Sequence, residues 1–226
     1  MSPEGWLALW AAAFAGSHLV MSHPLRAPLV RTLSERGFLG TYSLVSLFTL
    51  VMTVRAYGSA RAAGPPMLWQ PGEVLWALVS LVMWGASVLL VGAFRRNPAL
   101  PHPGAAALAR APAKGVYAIT RHPMLWSFAL WALAHVAINP TLPSLILSTA
   151  ILFLSLVGAA GQDVKKRRLM GPAWADWAAR TSFVPFGRQL AAPDGFALIG
   201  GTLLFLAATY GHGLMGASPA GVWRWL

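Results

Sequence analysis

Apolar residues crowd six stretches of the chain, at about 5–22, 38–57, 72–94, 123–139, 142–161 and 196–216. Each is close to the ~20 apolar residues a helix needs to cross a bilayer. The fourth and fifth are joined only by "NPTLP" (139–143), a tight helical hairpin punctuated by Pro140 and Pro143. Arg55 lies near the end of the second stretch, where its long side chain can snorkel to the headgroups. The pattern predicts an all-α fold, a polytopic membrane helical bundle of about six transmembrane helices. We find no internal repeat and no second domain, so residues 1–226 read as a single integral-membrane unit.

The polar positions sort onto two sides. Arg26, Arg31 and Arg36 fall in the first loop, and Arg95, Arg96, Arg110, Lys114 and Arg121 in the third. The fifth holds Lys165, Lys166, Arg167, Arg168, Arg180 and Arg188, so these three loops carry 14 of the 17 basic residues. The opposite side has only Arg61 and Arg224. The positive-inside rule then sets the basic loops in the cytoplasm and both termini outside. Residues 95–115 are rich in Pro and Ala and predict an extended connection with one short helical turn. Residues 171–186 predict a short interfacial helix opened by Pro172, with Asp176 and Arg180 as an i,i+4 pair.

Composition supports the membrane reading. The chain is 57% hydrophobic and 10% charged, against about 25% charged in soluble domains. With no cysteine, disulfides, thiolate metal sites and thiolate-ligated heme are excluded. The net charge of +11 sits beside apolar runs, which points to a bilayer with anionic headgroups as partner and not to nucleic acid. No Lys or Arg precedes Arg26, so the first stretch reads as a retained helix and not as a cleaved signal. The spans show no intramembrane carboxylate and no convincing inverted repeat, which argues against a transporter.

An ionisable group within a span is a functional candidate by default. His102 falls in a Pro-rich loop and reads as solvated; His212, in "TYGHGLMG", reads as interfacial beside Tyr210; His23 precedes Pro24 at the inner end of the first span. His18 and His135 stand apart. Ala11, Ala15 and Ser22 form a small-residue stripe around His18, while Met124, Phe128 and Trp131 build a bulky wall around His135. Such a pair could hold heme b between helices, or each imidazole could simply hydrogen-bond across a helix interface. Arg121 and His122 precede Pro123 at a helix start, where free backbone N–H groups make an anion site.

The stretches "GVYAITRHPMLWSFALWALAHVAIN", "GQDVKKRRLMGPAWADWAARTSFVPF" and "GSHLVMSHPLRAPLVRTLSERGFLGTYSLVSL" resemble the NnrU family of bacterial membrane proteins across residues 5–190. That resemblance implies the bacterial cytoplasmic membrane and an association with denitrification and nitric oxide metabolism. The family is similar to the plant 15-cis-zeta-carotene isomerase, a membrane protein with histidine-held heme b. The isomerase ligands fall on His135 in "ALAHVA" and on His18. This implies heme b as cofactor and leaves open an isomerase acting on an apolar, lipid-like molecule. The Arg-His-Pro triplet also resembles isoprenylcysteine and phospholipid methyltransferases, whose Glu-Glu pair is reduced here to Gln162-Asp163. That likeness implies that Arg121, His122 and Asp163 lie together at a cofactor site. A methyltransferase using S-adenosylmethionine and a non-enzymatic assembly factor are the alternatives.

Depth constrains the heme reading. Counted from the inner surface at 1.5 Å per residue, His18 lies about 6 Å deep and His135 about 18 Å. The two match only if the first helix runs on through Pro24 towards Val30 with Arg26 tucked inward. Otherwise ligation is by one histidine, or involves His23.

Overall fold

Proline opens four of the helices, where its fixed φ suits the first turn and its missing N–H leaves no bond unmade. The computed structural model describes residues 1–101 and 103–226. His102, expected in a solvated loop, lies outside the described residues. The long elements are α1 (Pro3–Ser22), α2 (Arg26–Ala62), α3 (Glu73–Gly92), α6 (Pro123–Ile138), α7 (Leu142–Met170) and α9 (Gly195–Leu214). Short helices α4 (Ala105–Arg110), α5 (Val116–Ile119) and α8 (Pro172–Arg180) fill the connections, and a 3-10 turn (Gly221–Arg224) follows α9. No strand occurs among the described residues.

All six apolar stretches are helices. Five of them, α1, α2, α3, α7 and α9, are long and apolar enough to cross a membrane; α6 has 16 residues. At 1.5 Å per residue α6 spans about 24 Å, short of the roughly 30 Å hydrocarbon core. It packs against α3 and α7, so its ends are flanked by protein. Helix α1 lies against α2 and α7, and α3 against α6 and α9. Leu44, Phe48, Val54, Leu81, Phe153 and Leu203 are exposed on the outer faces. Water does not tolerate such a surface over several helices, whereas lipid does.

The helix boundaries correct two expectations. Helix α1 stops at Ser22 and does not continue through Pro24; its last turn closes by the His23 N–H donating to the Leu19 carbonyl at 3.0 Å. Arg26 begins α2 and pairs with Glu35 at 2.6 Å, so it is not tucked inward to lower a heme ligand. Helix α2 is itself broken at Ser34 (φ 63°, ψ 169°), where the Ser34 hydroxyl accepts the Gly37 N–H at 3.4 Å and restarts the helix.

Small residues set the closest approach. A Cβ on Gly201 of α9 would meet Val88 Cα of α3 at 2.4 Å, and one on Gly200 would meet Val91 Cγ1 at 2.7 Å. These glycines bring the two backbones together, and Trp84 Nε1 donates to Thr202 Oγ1 at 2.9 Å beside them.

The two ends of the bundle differ. At the basic end, Val88, Tyr117, Ile119, Trp174, Trp177 and Ala197 form a buried core. Trp174 and Trp177 of α8 are therefore buried in protein and do not lie in the headgroups as an interfacial helix would place them. Arg180 does not turn to Asp176; it donates to the carbonyls of Ala109 and Ala111, tying α8 to α4. The opposite end, which carries both termini, is held by Arg224–Glu73 at 2.6 Å, and by Leu68 N and Trp69 Nε1 donating to the Pro140 and Ala137 carbonyls.

Candidate functional site

The residues 120–123 segment enters α6 through a dense set of polar contacts. Arg121 Nη2 donates to Asp163 Oδ2 at 2.6 Å, with Nε at 3.0 and 3.1 Å from the two carboxylate oxygens. His122 Nε2 donates to Asp163 Oδ1 at 3.0 Å, and Trp174 Nε1 to the same oxygen at 3.3 Å. With Nε2 donating, a neutral His122 must accept at Nδ1, so Gln162 presents its NH₂ to it; a protonated His122 would instead donate to the amide oxygen across the 3.1 Å contact. Arg121 also stacks over Phe183 at 5.3 Å. The structure thus brings Arg121, His122 and Asp163 into one cluster. It also engages the backbone N–H groups read as an anion site: Arg121 N donates to the Ser182 carbonyl at 2.8 Å and His122 N to Thr120 Oγ1 at 3.2 Å. Thr120 in turn donates to the Phe183 carbonyl at 2.8 Å. The cluster is closed on itself, and His122 is buried.

His18 lies elsewhere. Its Nδ1 donates to the Phe14 carbonyl at 2.8 Å, and its ring packs on Phe14 and Tyr42. It lines a cavity of about 420 Å³ with His23, Met124, Phe128, Gln162 and Lys165. His23 caps α1 and rests on α7, where a Cβ on Gly161 would meet its Nε2 at 2.5 Å. Burial, and then the charge of Lys165, push the His23 imidazole below its ordinary value.

His135 is at the other end. Phe128 borders the His18 cavity, and His135 follows two helical turns later, about 10 Å further along α6. The structure therefore sets His18 and His135 on different cavities and does not bring them together. His135 instead faces His212 of α9, with ring centroids 6.3 Å apart and planes 27° from parallel. Each donates Nδ1–H to the carbonyl one turn back in its own helix, Trp131 and Ala208, both at 2.8 Å. Their Nε2 atoms have no hydrogen bond among the described residues. His135 also stacks on Trp131 at 4.0 Å. Both histidines line a cavity of about 580 Å³, shared with Tyr57, Trp76, Ser144 and Ser148. Ser148 is buried, and its hydroxyl has no partner among the described residues.

The NnrU protein family model matches residues 6–219. The chain belongs to the NnrU family. Curated proteins and solved structures give no match.

In this NnrU chain the His135–His212 pair can do what the closed cluster cannot. Two imidazoles with fixed Nδ1 tautomers offer two Nε2 lone pairs to one cavity, and carbonyls hold the rings as they hold ligand histidines in metal sites. Both would be available to a metal-bearing group that entered the cavity they line. No group of three His, Cys, Asp or Glu residues suited to a metal occurs among the described residues, so the pair cannot close a tetrahedral site alone. Sequence reading passed over His212 because it judged each histidine against its own neighbours. Depth was the signal available: His135 and His212 both lie within a turn of the same end of their helices.

Proposed function

We propose that this NnrU-family protein binds heme b at the end of the bundle that carries the termini, with His135 and His212 as the ligand residues. The 6.3 Å facing pair of imidazoles on two helices, each free at Nε2, is the observation that carries the reading. When bound, heme iron would supply one-electron chemistry, which suits the family's association with nitric oxide metabolism. Trp131 holds the His135 ring by stacking and by its carbonyl, and Trp76 and Tyr57 wall the cavity. His18 is left as a helix-packing residue. The Arg121–His122–Asp163 cluster joins α6, α7 and the segment after α8, and acts as a latch; the methyltransferase alternative needs groups there free for a cofactor, and they are engaged with one another.

Protein made with ample heme supply should show a Soret band. His135→Ala should abolish or strongly weaken heme retention, His212→Ala should turn a low-spin spectrum high-spin or lose heme, and His18→Ala should do neither. An unchanged spectrum in the His135/His212 double variant would sink the assignment. Saturable S-adenosylmethionine binding lost in Asp163→Asn would promote the methyltransferase reading instead.

For orientation we propose the basic end in the cytoplasm of a bacterial inner membrane. Reporter fusions at Gly64 and at the C-terminus should report the outside, and fusions within 95–115 or 164–190 the cytoplasm. A cytoplasmic C-terminus would overturn this topology.

A further inference from the structure

The ion pairs among the described residues join Arg26 to Glu35, Arg121 and His122 to Asp163, and Arg224 to Glu73. Three exposed cations at the basic end, Arg95, Arg96 and Lys114, belong to none of them. All three line one cavity of about 410 Å³, set between the end of α3, the α4–α5 connection, α8 and the start of α9. The same cavity is lined by Trp177, which is 2% exposed and whose indole N–H has no acceptor among the described residues. A buried N–H without a partner is rare in a native structure and asks for an explanation. The one carboxylate on the wall, Asp194, is engaged: its Oδ1 accepts the Ala197 N–H at 2.9 Å and caps α9. The first-turn N–H groups of α9 at Gly195 and Phe196, which lack carbonyl partners in the helix, border the same space.

We propose that this cavity binds a phosphate-bearing molecule, with the phosphate between Arg95, Arg96 and Lys114 and a phosphate oxygen accepting the Trp177 N–H. The cations supply the charge a phosphate needs, and basic pockets at helix ends on the basic side of a membrane protein suit anionic headgroups. Phe94 and Phe196, exposed beside the cavity, offer an apolar path for the chains of a lipid whose headgroup is seated there. Arg95 already lies over the Phe196 ring at 4.9 Å, which steers its guanidinium towards the cavity mouth.

The test uses the full-length protein in detergent, titrated with phosphatidylglycerol or phosphatidylcholine, with binding followed by native mass spectrometry and by thermal shift. Phosphatidylglycerol should bind at least about tenfold tighter than phosphatidylcholine, and the Arg95→Gln/Lys114→Gln variant should lose about tenfold of that preference, a loss typical of one charge-assisted hydrogen bond or more. Trp177→Phe keeps the ring and removes the donor; it should weaken binding about tenfold with phosphatidylcholine binding unchanged. Because Arg95 and Lys114 are exposed, the first variant folds even if Trp177→Phe does not, and it decides the matter alone. Saturation by soluble glycerol phosphate, abolished in the same variant, would assign the site to free phosphate esters; response to lipid only would assign it to headgroups. Equal retention of the two lipids with no response to glycerol phosphate, or an Arg95→Gln/Lys114→Gln variant that binds as the wild type does, would overturn the proposal.

Discussion

Asp163 receives hydrogen bonds from Arg121, His122 and Trp174, donors that come from the entry to α6 and from α8. At the other end of the bundle, His135 and His212 each commit one ring nitrogen to their own helix and leave the other open to a cavity. Both places hold imidazoles, yet they are built to opposite plans. In the first, the polar groups satisfy one another and bind three segments together. In the second they are oriented but incomplete, and the Ser148 hydroxyl beside them has no partner among the described residues. A closed polar network is an argument for rigidity, and an oriented open one is an argument for a ligand. The Arg-His-Pro motif thus marks a closed structural cluster, while the histidine that looked interfacial faces the open cavity.

The sharpest way to break this comparison is Asp163→Ala. It leaves Arg121, whose side chain is 13% exposed, without its counter-charge, and removing one partner of a buried pair costs about 3–5 kcal/mol. The thermal transition in detergent should fall steeply or vanish. His135→Ala, measured in the same way on heme-free protein, should change little; if it unfolds the protein as Asp163→Ala does, the two ends are not built differently.

Thr120→Val comes next. The replacement keeps the shape but removes the hydroxyl that donates to the Phe183 carbonyl and accepts the His122 N–H, so unpaired buried groups should cost about 1–3 kcal/mol. The matching change at the open end, Ser148→Ala, removes a hydroxyl that already lacks a partner. It should be neutral or raise the melting temperature slightly, and a clear loss would mean that Ser148 is engaged after all.

The smallest expected effect is a pH dependence at His23. Burial and Lys165 depress its folded-state value below that of the unfolded chain, so the unfolded chain binds the extra proton between the two values. Its contribution is fully present above about pH 6.5 and is lost as pH falls through the folded value. In a melting series from pH 7.5 to pH 5, His23→Gln should show a shallower acid decline than wild type. Parallel curves would assign the acid sensitivity to other groups.

Much of the fold was legible in the apolar pattern, because a stretch long enough to span lipid has few conformations other than a helix. The helical hairpin at Pro140 and the proline starts of α6 and α8 were legible for the same local reason. The break at Ser34 was not: the 23–37 stretch is polar and reads as a loop, but it folds as helix up to a serine that caps the next segment. The site divided along the same line. Arg121, His122 and Asp163 could be grouped from a motif and its known spacing. The facing of His135 and His212 is tertiary, and no periodicity within either helix announces it. The orphaned Trp177 N–H was equally hidden, since an interfacial helix and a helix capping a core share one pattern of tryptophans.

The close seam between α3 and α9 also bears on how the molecule comes into being. Helix α9 follows every other long helix in the chain, yet its Gly200 and Gly201 seat against Val91 and Val88 of α3. During synthesis α3 enters the bilayer well before its partner, so lipid must cover that face until α9 arrives and displaces it. The same late helix brings His212. A nascent or truncated chain that stops before α9 therefore holds the whole Arg121–Asp163 latch but only half of the facing histidine pair, so the open cavity is assembled after the latch.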